Sequence, residues 1–214
     1  MKLYGSLYSP FVARCWLAAT AKGGGVELEA FPGGIKSDAY LALNPMGRMP
    51  LLVDGDIALP ESAVICEYLD TVLPGPELLP PDPAGQARVR LLCRIADIYL
   101  FPASIDLLIA PRGDVSAGTT DAKTRTLSAL DYLEHFLGDR GFAYGDRLTL
   151  ADCALHGGLA LALMVLGRHE VAGRLDGRPK LGKWWGAIRE DPTLGPAIAQ
   201  IREAAIAYEK QRGY

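Results

Sequence analysis

Two periods of hydrophobic and polar residues alternate along the first third of the chain. The run Lys2-Leu3-Tyr4-Gly5-Ser6-Leu7-Tyr8 reads as a strand. From Phe11 to about Lys22 the spacing of Val12, Cys15, Trp16 and Ala19 becomes helical, and Gly23-Gly24-Gly25 stops it. Val26 to Phe31 then alternates as a strand does, and Pro32-Gly33-Gly34 turns the chain. Ser37 caps a short helix through Leu43, which Asn44-Pro45 ends. Pro50-Leu51-Leu52-Val53 is a third strand, Asp54-Gly55 the two-residue turn of a hairpin, and Ile57-Ala58-Leu59 its second arm. Ser62 caps a helix through Leu73, with Val64, Ile65, Tyr68, Leu69 and Val72 on one apolar face. The order strand, helix, strand, helix, strand, strand, helix predicts a compact mixed sheet with helical cover.

After Leu73 the strand signal ends. Leu73 to Gly85 holds five prolines and two charged residues, the signature of a linker. From Gln86 the pattern is helical throughout. Val89, Leu92, Ile95, Ala96 and Tyr99 mark one face of a long helix that Pro102 is expected to kink and Pro111-Arg112-Gly113 to end. A second helix runs from about Thr119 to Leu137. Thr149-Leu150-Ala151-Asp152 reads as a capping box at the head of a third, with Asp in the acidic place. Cys153 to Leu166 is apolar nearly all round and too short to span a membrane comfortably, so it reads as a buried central helix. Two more helices fit Lys180–Glu190 and Leu194–Lys210. The expected division is residues 1–76 as an α/β domain and 84–214 as an all-α domain.

Composition narrows the function classes. Half of the 214 residues are hydrophobic and the formal net charge is −3, with Lys and Arg spread along the chain. No basic block offers itself to nucleic acid. The N-terminus lacks a basic region followed by an apolar core, so no signal peptide is expected, and the protein is read as cytoplasmic with no membrane partner. Cys15, Cys66, Cys93 and Cys153 follow no metal spacing and are expected to be reduced thiols filling apolar space. His156 reads as a core histidine, while His135 and His169 lie in polar contexts and form no metal pattern with it.

The candidate chemistry lies at Tyr8-Ser9-Pro10-Phe11-Val12. Ser9 occupies a helix N-cap position and Pro10 the first helical position. Free backbone N–H groups and the helix dipole favour an anion there. The plain alternative is that Ser9 is a cap and nothing more.

Three motifs in order resemble the cytosolic glutathione transferases. They are Ser9-Pro10-Phe11 with Arg14 one helical turn on, Asn44-Pro45-Met46-Gly47-Arg48-Met49-Pro50, and Leu59-Pro60-Glu61-Ser62-Ala63-Val64-Ile65. The resemblance is strong to about residue 73 and weaker beyond it. It implies a thioredoxin-like domain followed by an all-helical domain, with glutathione as co-substrate and no metal. It implies further that a cis bond precedes Pro50 and that the Met49 backbone pairs with the cysteinyl part of glutathione. Ser62 would hold the γ-glutamyl carboxylate, Glu61 the ammonium group, and Arg48 or Lys36 the glycine carboxylate. Ser9 would donate to the glutathione thiolate, with Phe11 beside it. Asp152, in the Thr-x-x-Asp motif of the family, serves folding and not chemistry.

A free thiol of ordinary pKa is only about 3% ionised at neutral pH, and lowering its pKa by about two units requires roughly 2.7 kcal/mol of selective anion stabilisation. One charge-assisted hydrogen bond and a helix N-terminus are of that order. Ser9 and Val12 stand where a redox motif would have Cys and Cys, so disulfide exchange through a protein thiol at this position is excluded. Serine here resembles the tau, phi, theta and zeta-like branches, and the following Pro-Phe the tau branch and many bacterial members. The isomerase signature Ser-Ser-Cys-x-x-Arg is absent.

The resemblance places an apolar electrophile between the domains, near Tyr8, Phe11, Tyr99, Phe101, Pro102, Ala103 and Asp106. It also implies a homodimer, with the helix faces near Glu67 and Arg88 as its contact, and a role in detoxification. Peroxidase, dehalogenase and isomerase activities share the same thiolate. A non-catalytic binding or scaffold module on the same fold is the second function class; such a module would be expected to lose Ser9 or the Glu61-Ser62 pair, and both are present.

Overall fold

The computed structural model describes residues 1–212, with Arg212 described by its backbone alone. The chain forms two units. One is Met1–Leu78 together with the chain from Arg189 onward, and the other is Leu79–Ile188.

The first unit carries a four-stranded sheet in the order β2-β1-β3-β4, formed by β1 (Lys2–Tyr4), β2 (Glu27–Glu29), β3 (Leu51–Asp54) and β4 (Ile57–Pro60). β1 runs parallel to β2 with Leu3 opposite Leu28, and antiparallel to β3 with Leu3 opposite Leu52. Leu3, Leu51 and Leu52 are fully buried. The helices of this unit are α1 (Pro10–Ala21), α2 (Asp38–Leu43), α3 (Ser62–Val72) and α9 (Gly195–Arg212). β1 ends at Tyr4 and not Tyr8, because Ser6 to Ser9 fold into a turn closed by the Ser9 N–H on the Ser6 carbonyl (2.9 Å). The hairpin turn is Gly55-Asp56 and not Asp54-Gly55, since Asp54 pairs with Ile57.

α1 is buried on more sides than one apolar stripe predicts: Val12, Ala13, Arg14, Cys15, Leu17, Ala18 and Ala19 are all buried. It packs against α3 and also against α9, so the last helix belongs to the first unit and not to a domain beginning at residue 84. α3 buries Ile65, Cys66 and Leu69, while Val64 and Val72 of the expected face are about half exposed. The buried Lys22 ammonium pairs with Asp70 (3.1 Å) and donates to the Asp70 carbonyl (2.8 Å), tying the end of α1 to the end of α3. Gly75 passes so close to Lys22 that a Cβ there would lie 2.5 Å from the Lys22 carbonyl oxygen.

The second unit is helical. α4 (Pro83–Ile95) runs through a π turn (Ala96–Leu100) into α5 (Phe101–Ile109), followed by α6 (Ala117–Phe136) and α7 (Leu150–Arg168). α8 (Pro179–Glu190) closes it. Pro102 has no N–H to give the helix ladder, and the expected kink is taken up as the π turn before it. The wider turn shifts the phase, so Leu100 and Phe101 are buried and Tyr99, expected on the buried face, is 51% exposed. α7 is apolar enough to cross a membrane by length and composition, yet most of it is buried, with α4 and α5 packed against it. His156 on α7 is buried and stacks on Trp185 (5.4 Å). His169 is buried too, contrary to its polar sequence context, with Nε2 2.9 Å from the Leu107 carbonyl. Among the described residues no group of His, Cys, Asp and Glu is arranged to hold a metal, and the cysteines are free thiols.

The Thr149–Asp152 capping box forms at the head of α7. The fully buried Asp152 carboxylate accepts from the Thr149 N–H (2.8 Å) and hydroxyl (2.9 Å), the Ala143 N–H (2.8 Å) and the Trp184 indole N–H (2.8 Å). Burial pushes its pKa up, and these donors pull it back. Asp152→Ala strands several buried donors at about 1–3 kcal/mol each, so a loss of about 4 kcal/mol or more is expected. Urea denaturation of the variant against the parent chain measures it.

Candidate functional site

A cleft of about 330 Å³ opens in the first unit. Its wall is built from five short pieces: Phe11 on α1, Ile35 before α2, Asn44 and Met46 after α2, Arg48-Met49-Pro50 ahead of β3, and Pro60-Glu61-Ser62 between β4 and α3.

The loop from Asn44 to Pro50 is folded by side chains behind it. The Tyr40 hydroxyl (2.6 Å) and the Asn44 amide (2.7 Å) both donate to the Arg48 carbonyl. The Asn44 side-chain oxygen accepts from the Met46 N–H (3.2 Å). Burial pushes the Tyr40 phenol above its ordinary pKa, which keeps it a donor. Gly47 takes a positive φ of 57°, and a Cβ there would lie 2.8 Å from the Lys36 ammonium. The Met49–Pro50 bond is cis, as the resemblance implies. Arg48 is exposed, Met49 half-buried and Pro50 buried.

α3 begins one residue earlier than expected. Glu61 is the N-cap of α3, with no side-chain cap bond, and Ser62 is the first helical residue. Glu61 has φ 71°, a left-handed conformation that a residue other than glycine holds only where its surroundings impose it. Its carboxylate is exposed at the cleft while Ser62 is buried. The first turn of α3 presents backbone N–H groups without helical partners. Arg14, only 2% exposed, brings its guanidinium beneath that turn, Nη1 lying 3.4 Å from the Ser62 hydroxyl oxygen. The Cys15 thiol donates to the Ser62 carbonyl (3.6 Å).

Ser9 is 8% exposed at the N-cap of α1. Its backbone does the capping, the carbonyl accepting from the Ala13 N–H (2.9 Å), and its hydroxyl makes no cap bond. Ser9 does not itself line the cleft, whereas Phe11, two residues on, does. Lys36 is exposed, outside the lining, with its ammonium against Gly47.

The residues expected around an electrophile divide between the units. Tyr8 and Phe11 belong to the first. Tyr8 stacks on Tyr208 of α9. Tyr99, Phe101, Pro102, Ala103 and Asp106 belong to the second. Tyr99 meets Tyr132 edge-on, and Pro102 is exposed. Phe101 and Ala103 are buried in the helical core and offer no surface. Asp106 is held by Arg125 (2.9 Å).

Ile35 and Tyr40 are absent from the sequence reading, while Asn44, Met46 and Pro60 lie within its motifs without a site role, and the role of Arg14 is left open. Asn44 read as a helix stop, which it is, but nothing local shows its amide reaching Arg48. The signals for Arg14 are its place in the motif with Ser9-Pro10-Phe11 and a charge flanked by Val12, Ala13 and Cys15.

Comparison with known proteins places the chain in a family. The family described as glutathione S-transferase, N-terminal domain, matches residues 3–77, and its C-terminal domain matches residues 116–192. Glutathione S-transferase 3 of Zea mays is 32% identical, the alignment covering 94% of each chain. The chain belongs to the glutathione S-transferase family. A maleylacetoacetate isomerase of Pseudomonas aeruginosa is 34% identical over 72% of this chain and 78% of its own. A tau class glutathione S-transferase from mango, Mangifera indica, superposes with a TM-score of 0.79 at 23% identity, covering 97% of this chain and 96% of that one, and so shares the transferase fold.

In this transferase-family chain the Arg48 carbonyl depends on Asn44. Asn44→Ala removes a short donor and an acceptor together, and is expected to cost about 2 kcal/mol of stability. The urea midpoint of the variant reads it, with Lys36→Ala as a surface control that leaves the midpoint unchanged.

Proposed function

We propose that this protein is a glutathione transferase in which Ser9 donates a hydrogen bond to the thiolate of bound glutathione. The observation that carries the reading is the contact from Arg14 of α1 to Ser62 at the start of α3, beside a Ser9 hydroxyl left free of capping. At α1 the Ser9 hydroxyl takes no part in capping, and at α3 a buried arginine lies under the first turn. The cleft volume of about 330 Å³ suits a small peptide.

Each end of glutathione meets matching chemistry. The γ-glutamyl carboxylate takes the N-terminus of α3 and the Ser62 hydroxyl, with the Arg14 charge behind it. The ammonium group faces the Glu61 carboxylate. The cysteinyl backbone pairs with Met49, held in place by Pro50. Arg48 or Lys36 meets the glycine carboxylate, and Phe11 packs against the peptide. The thiol then lies at the N-terminus of α1. Its proton passes to solvent, the Ser9 hydroxyl and the helix dipole hold the thiolate, and the sulfur attacks the electrophilic carbon of an apolar small molecule, forming the C–S bond as the carbon's bond to its leaving group, chloride in a chloronitroaromatic, breaks and the group departs with the electron pair. Ser9 is a donor throughout and forms no covalent bond. The enzyme acts as a cytoplasmic homodimer in detoxification.

A second reading, glutathione-dependent isomerisation, is favoured by the isomerase relative at 34% identity. Pro10 and Phe11 stand where the isomerase signature would have Ser and Cys, which favours transfer over isomerisation.

Kinetics on two variants separate the roles. Ser9→Ala is expected to keep glutathione affinity within about threefold and to lose about 25-fold in kcat/KM at about pH 7 toward a chloronitroaromatic electrophile, as the ionised fraction of the bound thiol falls from about 76% to about 3%. Ser62→Ala is expected to weaken glutathione binding about tenfold while the bound thiol keeps its pKa. A parent chain that fails to bind millimolar glutathione ends this reading in favour of a non-catalytic binding module.

A further inference from the structure

The last helix returns to the first unit and places an aromatic ring on the residue before Ser9. α9 buries Ala197, Ile198 and Ile201 near its start. Beyond them Arg202, Glu203, Ile206 and Ala207 are exposed. Tyr208 then turns back to the body of the unit, half-buried, its ring lying on that of Tyr8 with centroids 3.8 Å apart and planes within 6° of parallel.

Tyr8 lies inside the turn that presents Ser9. This turn leaves β1 at Tyr4 and enters α1 at Pro10, and its closing bond is the Ser9 N–H on the Ser6 carbonyl. At its other end Gly5 lies so close to Val12 that a Cβ would come within 2.5 Å of that side chain. The turn is therefore gripped at both ends, by Val12 packed on Gly5 and by Tyr208 laid on Tyr8. Aromatic pairs restrain each other through broad contact, and a ring stacked on a second ring limits the backbone that carries it. A hydroxyl that must meet a thiolate within hydrogen-bond distance depends on that backbone.

We propose that Tyr208 is a positioning residue for Ser9, acting through Tyr8, so that docking of the C-terminal helix sets the hydroxyl that stabilises the thiolate. The catalytic part of this proposal rests on the glutathione reading above, while the mechanical part does not.

The test compares Tyr208→Ala and Tyr208→Phe with the parent chain. Amide hydrogen exchange is followed first, without glutathione. Tyr208→Ala is expected to speed exchange at the Ser9 amide about tenfold while the β3 amides Leu51–Asp54 exchange as before, and Tyr208→Phe to behave as the parent. The pKa of bound glutathione then rises in the Ala variant and not in the Phe variant, with glutathione affinity unchanged because the cleft wall is intact. Unchanged protection of Ser9 in Tyr208→Ala overturns the proposal. So does faster exchange throughout the unit, which marks a general structural role. A Ser9 amide that loosens while the bound thiol keeps its lowered pKa overturns the link to chemistry. If the Ser9 amide loosens and the parent chain itself leaves the glutathione thiol unshifted, the glutathione reading fails and the clamp stands.

Discussion

One buried guanidinium ties α1 to the start of α3, beside the candidate site. Arg14 grows from α1, one turn past Phe11, and reaches the hydroxyl of Ser62 at the start of α3. The N-terminus of a helix is already the positive end of a dipole. A cation placed beneath it adds to that potential instead of offsetting it, so an anion bound at the α3 terminus is favoured by both. Around this point the fold supplies structure rather than charge. α1 is packed against α3 and α9, the Lys22–Asp70 pair locks the far ends of α1 and α3, and the loop to Pro50 is drawn into place by Tyr40 and Asn44.

Much of the sheet was legible because its signals are local. Alternation marks β2 and a short apolar run β3, Ser37 caps α2 as its position predicts, and the Thr149–Asp152 box opens α7. The misplaced boundaries have tertiary causes. β1 is cut short because Ser6 to Ser9 turn to meet α1. The hairpin slips by one residue because Asp54 is drawn into pairing with Ile57. Tyr99 leaves the buried face because the π turn before Pro102 adds to the phase, and a wheel drawn at a constant period cannot follow it. The return of α9 to the first unit was invisible, since a helix with a short buried patch of Ala197, Ile198 and Ile201 names no partner.

The site was legible in outline through three motifs and not in its supports. Ser9, Glu61 and Ser62 occupy helix starts, where capping chemistry announces them. Whether a capping serine keeps its hydroxyl for a ligand is decided by its geometry, and here the Ser9 backbone alone makes the cap. The left-handed Glu61 was equally hidden, because nothing in Pro60-Glu61-Ser62 requires a positive φ. The same thiolate serves transfer, isomerisation and peroxide reduction across one fold, so the reaction is set by what surrounds the sulfur rather than by the sheet beneath it.

The most direct measurement is the ionisation of glutathione bound to the parent protein, followed by thiolate absorbance across pH. A thiol stabilised by the Ser9 hydroxyl and the α1 terminus is expected to be half-ionised about two pH units below free glutathione. A bound thiol that titrates at the free value contradicts the role given to Ser9.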